Sequence, residues 1–199
     1  MNDLPELFPS RRSIRRYESR PVPQEIIDRL LESAVWAPSA HNRQPWRFVV
    51  ITTANAKQKL AGAMGEALRR DLAADGLSRT AIDRDANRSY TRLTGAPLLI
   101  LVCLTMADMD EYPDERRNRN EALMAAQGAA MAGQNLMLSA HALGLGACWL
   151  CAPLFCPEIV REALDLPADW QPQGVITVGY PAETKEKTRH PIGTRVLYR

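Results

Sequence analysis

The sequence predicts an α+β fold with a central sheet. Three observations carry this. Leu98 to Leu104 is an unbroken apolar run of strand length, Pro23 to Trp36 repeats its apolar residues with helical spacing, and helical and strand segments follow one another without steady β-α-β alternation. The chain has 199 residues, 46% apolar and 24% charged. A chain of this size buries about 70% of its unfolded surface and needs no disulfide or metal staple. No composition break or Pro/Gly/Ser-rich linker divides it, so one domain is expected over residues 1–199.

In order along the chain, Ile26, Ile27, Leu30, Leu31, Ala34 and Val35 form one face of the first helix, and Pro23 sits at its start, where a missing N–H costs nothing. Arg47 to Thr53 is a Val- and Ile-rich strand. Lys57 to Leu72 is helical through Leu60, Met64, Leu68 and Leu72, and Asp75-Gly76 marks a turn. Ala81 to Arg92 reads as a short helix or a surface excursion. Leu98 to Leu104 is a buried strand, and Met106 to Asn118 a charged loop. From Ala122 to Pro157 there is no Asp, Glu, Lys or Arg. Gln127, Gln134, Asn135, Ser139 and His141 interrupt that run, and Ala and Gly outnumber Leu, which suits a helix buried in protein rather than a membrane span. This helix should begin near Glu121 and end at Leu143-Gly144-Leu145-Gly146, with Gly144 as its cap and Gly146 allowing close backbone approach. Strands are expected at Ala147–Leu150 and Gly174–Val178, a helix at Pro157–Leu164 and a terminal strand at Gly193–Tyr198.

Lys and Arg number 25 against 23 Asp and Glu, too balanced for a surface built to hold nucleic acid or acidic lipid. Met1 to Pro9 lacks the basic start and apolar core of a signal peptide, and three of the four cysteines lie in an apolar stretch, so a reducing, cytoplasmic setting is expected. No P-loop, G-x-S-x-G, H-E-x-x-H or G-x-G-x-x-G occurs. The densest charge is Arg11-Arg12-Ser13-Ile14-Arg15-Arg16, whose guanidiniums and hydroxyl suit a phosphate; a solvated arm is the alternative. Ala37 to Phe48 is too polar for an idle connection, unless Ser39 and Asn42 simply satisfy the turn's own backbone. Cys148-Trp149-Leu150-Cys151 has C-x-x-C spacing, but it falls within a strand and lacks a second ligand pair, which favours core packing over zinc or dithiol exchange.

Taken together, these segments resemble the flavin-dependent nitroreductase family over nearly the whole chain. Arg11-Arg12-Ser13-Ile14-Arg15 resembles its opening flavin motif and Ala37-Pro38-Ser39-Ala40-His41-Asn42-Arg43-Gln44-Pro45-Trp46 its second. Gly144-Leu145-Gly146-Ala147-Cys148-Trp149 resembles the third, and Lys187-Thr188-Arg189-His190-Pro191 the basic element near the C-terminus. Asp71 to Leu77 and Cys148 to Tyr180 look most like the nitroreductase-like domain of the deazaflavin-coenzyme glutamyl ligase. The resemblance implies a mostly antiparallel sheet flanked by helices in an intertwined homodimer, with FMN at the subunit interface, no nucleic acid and no membrane. Arg11, Arg12, Ser13 and Arg15 of one subunit would bind FMN, with Lys187 and Arg189 at the phosphate, Arg15 at the pyrimidine edge, and Trp149, Leu150, Cys151 and Ala152 along the strand end covering the flavin. Pro38, Ser39, Ala40 and Asn42 would come from the other subunit. Cys151 stands where the family usually has Gly or Glu. A mid-chain ring contact falls at Ser89 or Arg92. The implied chemistry is hydride transfer from NAD(P)H through flavin N5 to a small nitroaromatic, quinone or other conjugated acceptor, with no protein general acid; reduction of a deazaflavin-coenzyme precursor, or flavin binding without turnover, is the alternative.

Overall fold

The computed structural model describes residues 4–199. Its centre is one four-stranded sheet: β1 (Trp46–Ile51), β2 (Leu98–Leu104), β3 (Gly146–Leu150) and β4 (Gln171–Gly179), in the spatial order β1-β2-β4-β3. Every neighbouring pair is antiparallel, with Trp46 opposite Leu104, Leu98 opposite Val178 and Gly146 opposite Gly179. The Leu98–Leu104 run is buried at all seven positions because both faces of the sheet are covered. Leu98, Ile100, Val102 and Leu104 face one core, and Leu99, Leu101 and Cys103 face the other.

On the first face lie α2 (Gln24–Val35) and α5 (Glu115–Ala142); on the second lie α3 (Ala54–Ala74), α4 (Arg79–Thr94) and α6 (Pro157–Leu164). Ile27, Leu30 and Ala34 of α2 are the buried members of the predicted stripe. Residues 79–94 form a full helix, capped by the Ser78 hydroxyl, which accepts from Ala81 N–H at 3.4 Å. The short helix α1 (Leu4–Ser10), not expected from the sequence, precedes the arginine cluster.

Two expectations are corrected. α5 begins at Glu115, inside the segment read as a charged loop, because the Asp114 carboxylate accepts from Arg117 N–H at 3.0 Å and caps it. The first turns carry no apolar period, so only the cap announces them. No terminal strand forms over 193–198: Ile192–Thr194 is a single 3-10 turn, Leu197 and Tyr198 are exposed, and the segment pairs with neither edge strand. α5 ends as read, with Gly144 at φ +76 and Leu145 N–H returning to Ala140 O at 2.8 Å. No helix among the described residues is long and apolar enough to cross a membrane.

The Trp149 indole locks α5 to the sheet. A Cβ at Gly133 of α5 would lie 2.3 Å from the ring, and one at Gly174 of β4 would lie 2.4 Å from it. Gly133→Ala should therefore cost about 1–3 kcal/mol in urea unfolding. Trp149→Leu in the same chain should return part of that loss, and a fully additive double mutant would contradict the slot.

Candidate functional site

The arginine cluster is held in place by main chain. Ser13 bridges Ala147 at the start of β3, and Ile14 N–H donates to Ala147 O at 3.1 Å. Tyr17 then bridges Pro181, Glu18 N–H donates to Tyr180 O at 2.9 Å, and Ala182 N–H donates to Arg16 O at 3.0 Å. The segment thus lies between β3 and the chain leaving β4. Glycine is required at 146, where a Cβ would come within 2.7 Å of the Ile14 Cβ. Tyr17 fastens the underside: its hydroxyl lies 2.7 Å from Thr177 Oγ1, and burial raises its pKa above the ordinary phenol range.

Two cation-lined cavities flank this segment. The first, about 420 Å³, is walled by Arg11, Arg12, His141, the Gly144–Gly146 turn and Lys185. Arg12 Nε is buried without a hydrogen-bond partner among the described residues, while Nη1 of the same guanidinium donates to Arg11 O at 2.8 Å and to Pro9 O. Burial, with Arg189 and Arg12 close by, lowers the pKa of Arg11. Among the described residues, none of Arg11, Arg12, Arg15, Arg92 or Arg189 has a carboxylate within 4.0 Å. Guanidiniums crowded together with no ion-pair partner of their own, one with an idle N–H, make a site suited to an anion. The second cavity, about 450 Å³, is lined by Arg15, Arg16, Asn87, Arg88, Thr91, Arg92, Glu183 and Lys185. Burial, then the nearby Arg15 and Arg88, lower the pKa of Arg92.

The structure therefore brings Arg11 and Arg12 to the first cavity and Arg15 to the second, with Arg189 beside Arg11, while Ser13 lines neither cavity. Lys187 is exposed and Lys185 takes the cavity wall instead. Of the two mid-chain candidates, Arg92 joins Arg15 while Ser89 faces a third cavity. That cavity, about 290 Å³ and mainly apolar, is bounded by Met64, Leu72, Ala152, Phe155 and Cys156. Trp149 seats its ring in the Gly133–Gly174 slot and Leu150 packs in the opposite core, and neither lines one of the three cavities. Cys151, exposed, accepts from Trp149 Nε1 at 3.2 Å and opens a 3-10 turn over Ala152–Phe155. Cys148 is buried, and no cluster of three His, Cys, Asp or Glu that could hold a metal exists among the described residues.

Pro38, Ser39, Ala40 and Asn42 lie elsewhere. Their loop closes on itself, with Gln44 N–H donating to Ser39 Oγ and Asn42 N–H to Ser39 O, both at 3.0 Å. His41, Asn42 and Gln44 all have positive φ, near 50°, strain that a plain connection does not need. Ser39 Cβ packs 3.5 Å from a Cβ position at Gly128, whereas His141 at the anion cavity is thirteen residues further along α5, about 20 Å away. The residues missed in sequence were His141, Arg88, Lys185 and Glu183; only the Arg88/Thr91/Arg92 spacing, one face of a helix, offered a signal, and it required α4 to be recognised as a helix.

An antiparallel sheet packed between helices, with a cation-lined cavity suited to an anion and a separate apolar pocket, defines the molecule as a small α+β protein with two chemically distinct cavities. The comparisons place it. The Nitroreductase family model matches residues 9–180, and the chain belongs to that family, a family of oxidoreductases. It is 31% identical to an NADH dehydrogenase of Thermus thermophilus over 95% of this chain and 92% of that one. It is also 31% identical to a 5,6-dimethylbenzimidazole synthase of Rhodospirillum rubrum, over 95% of this chain and 84% of that one. A nitroreductase-type protein of Desulfovibrio desulfuricans, solved in complex with FMN, superposes with a TM-score of 0.77 at 30% identity, covering 100% of this chain and 98% of that one.

Burial, then Arg11 and Arg12, lower the pKa of His141, whose Nε2 lies 2.8 Å from Ser10 Oγ. A histidine harder to protonate folded than unfolded makes stability fall as pH drops through the ordinary imidazole range. Sulfate in the cavity should reverse this, binding about threefold or more tightly at pH 5.5 than at 7.5 in a calorimetric titration. His141→Gln should abolish the dependence, and a flat wild-type profile would remove His141 from the cavity's chemistry.

Proposed function

We propose that this chain is an FMN-dependent NAD(P)H oxidoreductase that passes two electrons to a nitroaromatic, quinone or other conjugated acceptor. The observation that carries it is the anion cavity, with its crowded arginines and the unpartnered Arg12 Nε. These residues fit the phosphate of FMN: Arg11, Arg12, Lys185 and Arg189 supply charge-assisted donors, and the Gly144–Gly146 turn lets the chain approach closely. FMN, when bound, supplies the hydride chemistry. Arg15 and Arg92, in the adjoining cavity, would hold the ring's polar edge and favour negative charge there. Ala152 N–H, at the start of the Ala152–Phe155 turn and followed by Pro153, which has no N–H, and by Leu154, whose N–H donates to Cys151 O at 3.0 Å, would offer one donor at the rim, and the apolar third cavity would take an acceptor and exclude water.

The site is completed in this reading by a second copy of the chain. Pro38, Ser39, Ala40 and Asn42 are too far along α5 to reach the anion cavity of their own subunit. α5 also presents an uncharged outer stripe, Leu123, Gln127, Ala130, Met131, Gln134 and Leu138, with Leu123 57% exposed in the single chain. Two such stripes packed together would bury both and carry each loop to the other subunit's cavity.

Purified protein should hold stoichiometric FMN and be reduced anaerobically by NADH or NADPH; FMN that neither donor reduces would mean a binding protein instead. Arg12→Met should weaken FMN binding about tenfold or more, as lost charge-assisted bonds to a phosphate do, read by flavin fluorescence. Met131→Glu should convert a dimer to a folded monomer depleted of FMN by light scattering and absorbance, whereas a flavin-loaded monomer would sink the shared site.

A further inference from the structure

Among the described residues, Glu183 is the one carboxylate lining either cation cavity, and it lines both. It stands just after the Tyr180–Ala182 segment that pairs with Arg16–Glu18, where the chain leaves β4 for the basic tail. Its Oε1 accepts from Arg15 N–H at 2.7 Å and lies 3.3 Å from Lys185 Nζ. The side chain is 14% exposed, so these contacts are made largely out of water. Burial pushes the carboxyl pKa up, but the Arg15 N–H, Lys185 and the Arg16 N–H outweigh it and hold it below the usual carboxylate range. Arg88 has its own partner, Asp85, at 3.1 Å outside the cavity. Against Arg11, Arg12, Arg15, Arg92 and Lys185, Glu183 is alone.

We propose that Glu183 is the positioning residue of this site: its carboxylate holds the Arg15 main chain against the segment leaving β4, and its charge limits how tightly both cavities bind an anion. The first role follows from geometry. Arg15 N–H lies between two main-chain pairings, Ile14 to Ala147 and Ala182 to Arg16, and Glu183 supplies its acceptor. The direction in which the Arg15 side chain leaves depends on that N–H being fixed. The second role follows from charge. Glu183 shares Lys185 with any incoming anion and repels that anion directly, so the cations stay assembled without being saturated. An enzyme that must bind an anionic cofactor while its ring gains negative charge is then held from the extreme that an all-cation site would reach. For FMN this rests on the function proposed above; for a simple anion it does not.

The two roles separate by variant. Glu183→Gln keeps an oxygen for Arg15 N–H and deletes the charge; Glu183→Ala deletes both; Glu183→Asp keeps the charge and withdraws it from the N–H. Glu183→Gln should bind inorganic sulfate and FMN about three- to tenfold more tightly than wild type at low salt, an advantage that shrinks toward unity near ~1 M salt. Its bound flavin should also have a more positive reduction potential. A carboxylate that was only structural would give weaker binding in every variant. In amide hydrogen exchange without ligand, Arg15 N–H should exchange about tenfold or more faster in Glu183→Ala, or in Glu183→Asp if the alanine variant does not fold, and stay near wild type in Glu183→Gln. Sulfate affinity unchanged or weakened in Glu183→Gln, or Arg15 exchange unaffected in the other two, overturns the proposal. Sulfate and exchange results as expected, with no FMN uptake by wild type or variant, would instead overturn the flavin reading and leave the role of Glu183 standing.

Discussion

The site depends on one constraint: residues 13–18 must lie as an extra length of extended chain between the start of β3 and the end of β4. Ser13 and Ile14 pair with Ala147, and Tyr17 and Glu18 with Pro181 and Tyr180. These bonds bring together main chain more than 130 residues apart in sequence, and with them a run of arginines becomes the wall of a cavity. Clustered guanidiniums repel one another, so nothing in the run itself would gather them. The pairing supplies that force, and the missing side chain at Gly146 lets Ile14 come close enough to make it.

The rest of the architecture serves that pairing. Trp149, seated between Gly133 and Gly174, fixes β3 relative to α5 and β4, and so fixes Ala147 two residues earlier. The α5 cap at Gly144 ends the helix where His141 can face the cavity and turns the chain directly into β3. Tyr17, hydrogen-bonded to Thr177 and to Ile14 O, holds the same segment from below. Stability and anion recognition therefore share residues, and a change that loosens the Trp149 slot should be felt in the cavity as well.

α5 has to satisfy two surfaces at once. Its inner face, with Ala125, Ala129, Ala132, Gly133 and Leu136, is small because it lies flat on the sheet, while its outer stripe is apolar or amide without any charge. This explains how a stretch lacking Asp, Glu, Lys and Arg can belong to a protein with no membrane-length apolar helix among its described residues. Small residues set the distance to the sheet, and Gln127 and Gln134 keep the outer face polar enough for water or for a second copy of the chain.

Much of this was legible from the sequence because it is local. Apolar spacing marks α2, α3 and β2, the Gly144 cap marks the end of α5, and the two polar segments at 11–16 and 37–48 stand out as chemistry wherever they fold. The start of α5 was illegible because its first turns are polar throughout and only Asp114 signals a helix. The terminal strand was over-read because alternation in residues 193–198 says nothing about whether a sheet edge is free to receive it. The sequence by itself determined the periodic elements α2, α3 and β2, the end of α5, and which segments carry chemistry suited to a phosphate. Only the tertiary structure set Arg92 beside Arg15 and Ser89 at the third cavity, put Lys185 rather than Lys187 at the wall of the first, and set Glu183 among the cations. Those choices depend on which side chains long-range crossings bring within a few ångströms, and electrostatic interactions at that range are fixed by distance in space, not by position along the chain.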